Sequence, residues 1–177
     1  MKIYAVIDGS HAKDLLTRLS DYPLRYSCLY NVPIQEDLRA FSPYLVELSE
    51  ASEDPFKKWL KTLGEGGAPW GLYLFSKSDF QKLRQHLRKY TYAKIPTEEK
   101  PVMFRYYDPR VFWKVIDILE DSQLYKLLEP IQIVSSYYQG KYLEDHFSHR
   151  RKNGANLRAY SPLLSLSIQS KLPRLLH

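Results

Sequence analysis

The feature that most constrains the fold is a run of apolar and aromatic residues that leads directly into a capped helix, over residues 101–119. Along residues 102–107, Val102, Phe104 and Tyr106 alternate with Met103, Arg105 and Tyr107. Aromatic and branched residues in such alternation are typical of a strand. Asp108 is then placed to accept hydrogen bonds from the free amides of a first helical turn. Pro109 would occupy the first helical position, where a backbone N–H would have no partner within the helix. The sequence therefore predicts a buried strand followed at once by a helix that ends near Leu119.

Arg105 is the exception within this predicted strand, because a charge in a buried strand needs a partner. Asp8, which follows the first predicted strand, would supply a carboxylate if the two strands are neighbours. Such an ion pair would fix strand order more than it would add stability. The alternative is that Arg105 faces a groove and binds an acidic group of another molecule. We favour the structural role for Arg105 and leave Arg110, in an exposed first helical turn, open for recognition.

Predicted strands and helices alternate along the first 138 residues. Strands are predicted over residues 2–7, 24–30, 44–48, 70–75, 102–107 and 131–138. Helices are predicted around Leu15–Leu19 and over residues 34–41, 54–63, 78–90, 109–119 and 122–128. Asp54 is predicted to cap one helix, and Ser76 or Ser78 another. Because strands separated by helices favour crossover connections, we predict an α/β fold with a mixed, largely parallel sheet flanked by helices.

The C-terminal part has a different composition, which divides the chain into an α/β domain over residues 1–140 and a small basic, Leu-rich segment over 141–177. This segment holds seven Lys and Arg against two Asp and Glu, in a chain of net charge +6. A short helix is predicted over residues 142–149. Leu164, Leu166 and Ile168 alternate with polar residues as in a strand. The segment is predicted to be either a docking arm or a packed subdomain.

Four short motifs stand in order between residues 3 and 119. They are the strand that ends in Asp8-Gly9, the segment Ser42-Pro43-Tyr44-Leu45-Val46, the strand that begins with Trp70-Gly71, and Phe104-Arg105-Tyr106-Tyr107-Asp108-Pro109-Arg110. Together they resemble a DUF-type family of adaptor proteins, or effector chaperones, of type VI secretion; the match fades beyond residue 130. The resemblance implies a non-catalytic protein, without a cofactor, that binds a secreted effector in the cytoplasm. It also implies that the protein helps to load the effector onto the valine-glycine-repeat spike.

An adaptor needs side chains that anchor its partners, and aromatic and Arg residues do this best. Fifteen tyrosines among 177 residues fit such a role, since Tyr combines a large contact area with a polar tip. The candidate partner contacts are Arg110, Trp70, Tyr73, Tyr137, Tyr138, Leu164, Leu166 and Ile168.

Two other functions have support in the residues. A basic nucleic-acid-binding domain would use Arg150, Arg151, Lys152 and Arg158 on phosphates. A metal-dependent hydrolase would need carboxylates that converge at strand ends, for which the candidates are Asp8, Asp14, Asp79 and Asp108. Asp108 already has a sufficient role as a helix cap, and the chain has no nucleophile elbow or phosphate-binding Gly loop. We therefore disfavour nucleic acid as a partner and predict that the protein is not an enzyme and holds no metal.

Location is predicted from what the sequence contains. No apolar run approaches the roughly 20 residues that span a bilayer, which predicts no membrane insertion. The start of the chain does not resemble a secretory signal. The single cysteine, Cys28, has apolar neighbours typical of an inert buried thiol. These features predict a cytoplasmic protein.

Overall fold

A six-stranded antiparallel sheet forms the centre of the protein. The computed structural model describes residues 1–30, 33–94, 97 and 99–147. Its strands are β1 (Lys2–Asp8), β2 (Arg25–Cys28), β3 (Pro43–Leu48), β4 (Gly71–Ser76), β5 (Tyr92–Ala93), β6 (Val102–Met103), β7 (Ile131–Tyr138) and β8 (Lys141–His146). The sheet has the order β2-β3-β1-β4-β7-β8, while β5 and β6 pair separately.

The predicted largely parallel sheet is wrong, because every strand pairing in the described residues is antiparallel. The helical crossovers themselves were anticipated correctly. β1 and β2 run in the same direction, as do β3 and β4. However, β3 lies between β1 and β2, and β1 lies between β3 and β4, each in the opposite direction. In these two cases the strand–helix–strand pattern gives the direction of the second strand, but not that another strand is inserted between the two.

Helices cover both faces of the sheet, as predicted. They are α1 (Leu15–Asp21), α2 (Pro55–Glu65), α3 (Phe80–Arg88), α4 (Pro109–Ile118) and α5 (Asp121–Leu128). One hydrophobic cluster joins the sheet to α3, α4 and α5, and a second joins the opposite face to α1 and α2. The central strand β1 contributes to both, with Tyr4 and Val6 in the first cluster and Ile3, Ala5 and Ile7 in the second. Alternate side chains of a strand point to opposite faces, so β1 is buried on both sides.

Aspartate side chains cap α2, α3 and α4. Asp54 and Asp108 accept hydrogen bonds from first-turn amides, each before a proline in the first helical position, as predicted. The predicted serine cap of α3 is wrong, for both Ser76 and Ser78. Asp79 caps this helix by accepting from the amide of its third residue at 2.9 Å. The Ser76 hydroxyl instead donates to the carbonyl that precedes β7.

Two predicted elements differ in the structure. The strand predicted over 102–107 ends at Met103, and Tyr106 and Tyr107 are buried in the irregular segment before α4 rather than in a strand. The helix predicted over 142–149 is also wrong, since residues 141–146 form β8. A tight turn at Gln139-Gly140, with φ of +52° and +73°, returns the chain from β7 into β8.

The predicted C-terminal segment thus begins inside the sheet, because β8 pairs with β7 along its whole length. From residue 148 onward that segment lies outside the described residues. This includes the predicted contacts Leu164, Leu166 and Ile168 and the basic group Arg150, Arg151, Lys152 and Arg158. None of the helices in the described ranges is long and apolar enough to span a bilayer.

Candidate functional site

The four sequence motifs meet at one end of the three central strands. Asp8 ends β1 and lies opposite Pro43, the first residue of β3. On the other side, Gly71 begins β4 and lies opposite Ile7, and the amide of Asp8 donates to the carbonyl of Trp70 at 2.7 Å. The antiparallel arrangement brings these motifs together, since the end of one strand meets the starts of both its neighbours.

Two glycines allow the backbone segments to approach this closely. A Cβ atom built on Gly9 would lie 2.2 Å from the carbonyl oxygen of Ala40. Gly71 has a φ of +151°, and a Cβ atom there would lie 1.9 Å from the carbonyl oxygen of Val6. Both distances are far inside van der Waals contact, so only glycine fits at these positions. Gly9 and Gly71 therefore serve backbone packing.

Asp8 is a buried carboxylate bound by an arginine from a distant part of the chain. Its side chain is 1% exposed, and its Oδ1 accepts from the amide of Ser10 at 3.0 Å and from the Ser10 hydroxyl at 2.5 Å. Nη2 of Arg105 donates to Oδ2 of Asp8, and also to Oγ of Ser10 at 2.8 Å. The predicted Asp8–Arg105 pair is thus confirmed. Arg105 lies outside any strand, however, so the pair joins the end of β1 to the segment before α4.

Asp108 forms a second buried pair beside the first. Its side chain is 4% exposed, and its Oδ1 accepts from the amide of Arg110 at 2.9 Å. The Arg110 guanidinium binds the same carboxylate, through Nε to Oδ1 at 3.0 Å and Nη2 to Oδ2 at 2.6 Å. Nη2 also lies 2.7 Å from Nε2 of His11. Because Arg can only donate, Nε2 of His11 is the acceptor, and a neutral imidazole then carries its proton on Nδ1.

Both guanidinium groups reach the surface although their carboxylate partners do not. The side chain of Arg105 is 37% exposed and that of Arg110 is 51% exposed. Among the described residues, Arg105 donates only through Nη2, and Arg110 only through Nε and Nη2. Further N–H groups on each guanidinium are therefore available to a group from another molecule. The buried carboxylates hold both side chains in place before anything binds.

Comparison with known families gives an assignment for most of the chain. Residues 3–126 match the family described as "Domain of unknown function (DUF4123)", a range that contains all four motifs. The chain belongs to the DUF4123 family. This confirms the predicted resemblance at the level of the family, which is associated with type VI secretion. No curated protein and no solved structure matches the chain significantly.

The DUF4123 site brings together three groups of types that bind metals. One possible ligand atom from each of Asp8, His11 and Asp108 lies within 4.8 Å of the others. Arginines already neutralise both carboxylates, so a cation would have to displace them and would meet two like charges. Asp79 lies at the far end of the sheet because β4 runs antiparallel to β1, and Asp14 precedes α1. Of the four candidate carboxylates, the structure thus brings only Asp8 and Asp108 together within the described residues.

The predicted partner contacts fall in different environments. Trp70 and Tyr73 are 1% and 2% exposed, and their rings pack edge to face with centroids 4.9 Å apart. They stabilise the core under α2 and offer little surface to a partner. Tyr137 and Tyr138, at the end of β7, are half-buried, whereas Arg110 is exposed. Arg110 is thus the predicted contact that is most accessible among the described residues.

Ser10 and His11 complete the site in roles that the sequence interpretation did not assign. Both lie in a short 3-10 turn, Gly9–His11, directly after Asp8. Asp-Gly-Ser is a sequence that favours a turn in which the aspartate side chain binds the backbone two residues on, so the Asp8–Ser10 bond has a local signal. The contact of His11 with Arg110 spans 99 residues and has none.

The Asp108–Arg110 pair makes stability depend on acid pH. Burial alone would raise the pKa of Asp108, but the hydrogen bonds and charge of Arg110 outweigh burial and lower that pKa below its ordinary value of 3.8. A carboxyl group whose pKa is lower in the folded than in the unfolded state stabilises the fold at pH values above its unfolded-state pKa. This contribution is lost as the pH falls through the folded-state pKa. We expect the free energy of unfolding, measured by urea denaturation, to decrease below about pH 4.

The matched variant for this measurement is Asp108→Asn, because asparagine also caps helices but does not titrate. The wild type should be more stable than this variant at pH 6, and the difference should shrink as the pH falls below 3.8. A difference that stays constant from pH 6 to pH 3 would contradict the assigned pair.

Proposed function

We propose that this protein is a non-catalytic adaptor that binds a secreted effector in the cytoplasm. It helps to load the effector onto the valine-glycine-repeat spike of a type VI secretion system. The family assignment over residues 3–126 carries the proposal, since that family is associated with this form of secretion. Loading requires release at a later step, so at least one of the two interfaces is of modest area.

The chemistry of the site supports a role in binding rather than catalysis. A general base needs a lone pair that is free to accept a proton from a substrate. Oδ1 and Oδ2 of both Asp8 and Asp108 are engaged by arginines, backbone amides and Ser10. What reaches the surface is the donor side of Arg105 and Arg110, which suits recognition of an acidic group.

Co-purification tests the proposal directly. The chain is expressed with a tag, together with the proteins encoded beside it, and captured at low and moderate salt. We expect a stable complex with the effector or the spike protein, and no capture by an unrelated protein of equal charge that carries the same tag. Recovery of neither protein at either salt concentration would overturn the adaptor function.

A second form of the chain, without residues 160–177, tests the predicted contacts Leu164, Leu166 and Ile168. Capture of one partner should be lost while the other is retained if this segment is a docking arm. Unchanged capture of both partners would assign recognition to residues 1–159.

A further inference from the structure

We infer that the end of the sheet that carries the two arginines is a docking surface for an acidic and apolar protein segment. The surface consists of Leu38, Phe41, Tyr92, Met103, Arg105 and Arg110, and we call it the arginine surface. The segment it fits presents a carboxylate side chain next to one or more apolar side chains. The inference rests on the proposed function and identifies where, and through which chemistry, a partner is bound.

Exposed apolar side chains occur on the segments that pack near the arginine pairs. The exposed fractions are 50% for Leu38, 61% for Phe41, 41% for Tyr92 and 51% for Met103. Single exposed apolar residues are normal on protein surfaces, but several around one site indicate an interaction surface. Large apolar or aromatic anchors near a pair of arginines are the residue types that dominate binding energy at protein interfaces.

Tyr30 connects Tyr92 and Met103 to the arginines. Its hydroxyl donates to Sδ of Met103 at 3.0 Å, and its ring lies 6.2 Å from that of Tyr92. The same hydroxyl lies 3.3 Å from the hydroxyl of Tyr107, two residues after Arg105. These contacts fix the position of the aromatic side of the arginine surface relative to its charges.

Leu38 and Phe41 lie on a second segment, which packs against the turn that carries Ser10. They lie in a 3-10 helix, Glu36–Phe41, whose Ala40 carbonyl is packed against Gly9. Gly9 is followed by Ser10, the hydrogen-bond partner of Arg105. The fold therefore brings a second group of exposed apolar residues to the turn that binds Arg105.

The local charge favours a single carboxylate over a polyanion. Asp8 and Asp108 balance Arg105 and Arg110 one for one, so the arginine surface does not present the excess positive charge that tracks a phosphate backbone. The free N–H groups can still bind one carboxylate, and the apolar rim contributes by excluding water around it. A nucleic acid is the alternative occupant that the charge balance disfavours.

Substitutions at Phe41 test the arginine surface, because this side chain is 61% exposed and packs little against the fold. We expect Phe41→Glu to weaken binding of the co-purified partner by about tenfold or more, since it removes an anchor and repels an acidic segment. Phe41→Lys removes the same anchor but attracts that segment, so it should reduce the affinity for the partner clearly less than Phe41→Glu does. Ile118→Glu is the matched control, since Ile118 is 74% exposed on α4 outside the arginine surface. This variant should bind the partner with the affinity of the wild type.

The outcomes separate this inference from the proposed function. A partner that binds the wild type, Phe41→Glu and Ile118→Glu with equal affinity leaves the adaptor function standing and overturns the arginine surface. Losses of equal size for Phe41→Glu and Phe41→Lys, or a larger loss for Phe41→Lys, would contradict the acidic character of the segment. If the protein instead captures nucleic acid, and this capture is abolished by nuclease and weakened by Phe41→Glu, the arginine surface binds nucleic acid and not a protein segment. Failure of the wild type to bind any partner would overturn both proposals.

Discussion

Replacing Arg105 by alanine is expected to lower the free energy of unfolding by about 3 kcal/mol, because it leaves the carboxylate of Asp8 buried without a cation. The Asp8 side chain is only 1% exposed while Arg105 is in place, so the guanidinium is the cation that compensates its charge. The hydrogen bonds from Ser10 remain and limit the loss. Urea denaturation at pH 7, followed by circular dichroism, measures the change.

Two further variants define this expectation. Lys2→Ala breaks an exposed ion pair with Glu47 at the opposite end of β1, and should cost less than about 1 kcal/mol. The double variant Asp8→Asn/Arg105→Ala should recover part of the loss, since a neutral amide is cheaper to bury than a carboxylate. A loss for Arg105→Ala no larger than that for Lys2→Ala would show that Asp8 does not depend on Arg105.

Replacing Gly71 by alanine is expected to have the largest effect on folding. The added Cβ atom would stand 1.9 Å from the carbonyl oxygen of Val6, and this neighbour is backbone in the central strand, which cannot rotate away. β1 and β4 would have to separate at the end of the sheet where the four motifs meet. We expect a loss of more than about 3 kcal/mol, or insoluble protein, measured by soluble yield and melting temperature.

Gly67→Ala is the matched control for this substitution. Gly67 also has a positive φ, of +87°, but a Cβ atom there meets nothing within 4 Å. Its cost is therefore limited to backbone conformation, about 1 kcal/mol. Equal losses at Gly71 and Gly67 would mean that backbone conformation, and not the contact with Val6, decides the requirement for glycine.

The sequence predicted the elements whose signals are local. Asp54 and Asp108, each before a proline, gave the starts of α2 and α4, since a cap and its first turn lie within four residues. Strand order was not predictable in this way, because the insertion of β3 and β1 between strands joined by crossovers depends on long-range packing. β8 was not predicted, because residues 142–149 were interpreted as a helix. Gly140 between two aromatic segments is nevertheless a hairpin signal.

The candidate site was predicted in part for the same reason. An isolated charge in an apolar run needs a buried partner, which correctly paired Arg105 with Asp8. The aromatic residues around Arg105 suggested a strand, because Tyr and Phe suit both a strand and a buried irregular segment. Trp70 and Tyr73 were predicted as partner contacts from residue type alone, and residue type does not distinguish a core aromatic from an interface one.

The central position of β1 has a consequence for synthesis of the protein. β1 pairs with residues 43–48 and 71–76, so its second neighbour is complete only when residue 76 has left the ribosome. Until then a nascent chain carries a strand rich in apolar residues with open edges, which is prone to associate with other chains. The rate of translation through β3 and β4 therefore bears on how much of the newly made protein reaches its native state.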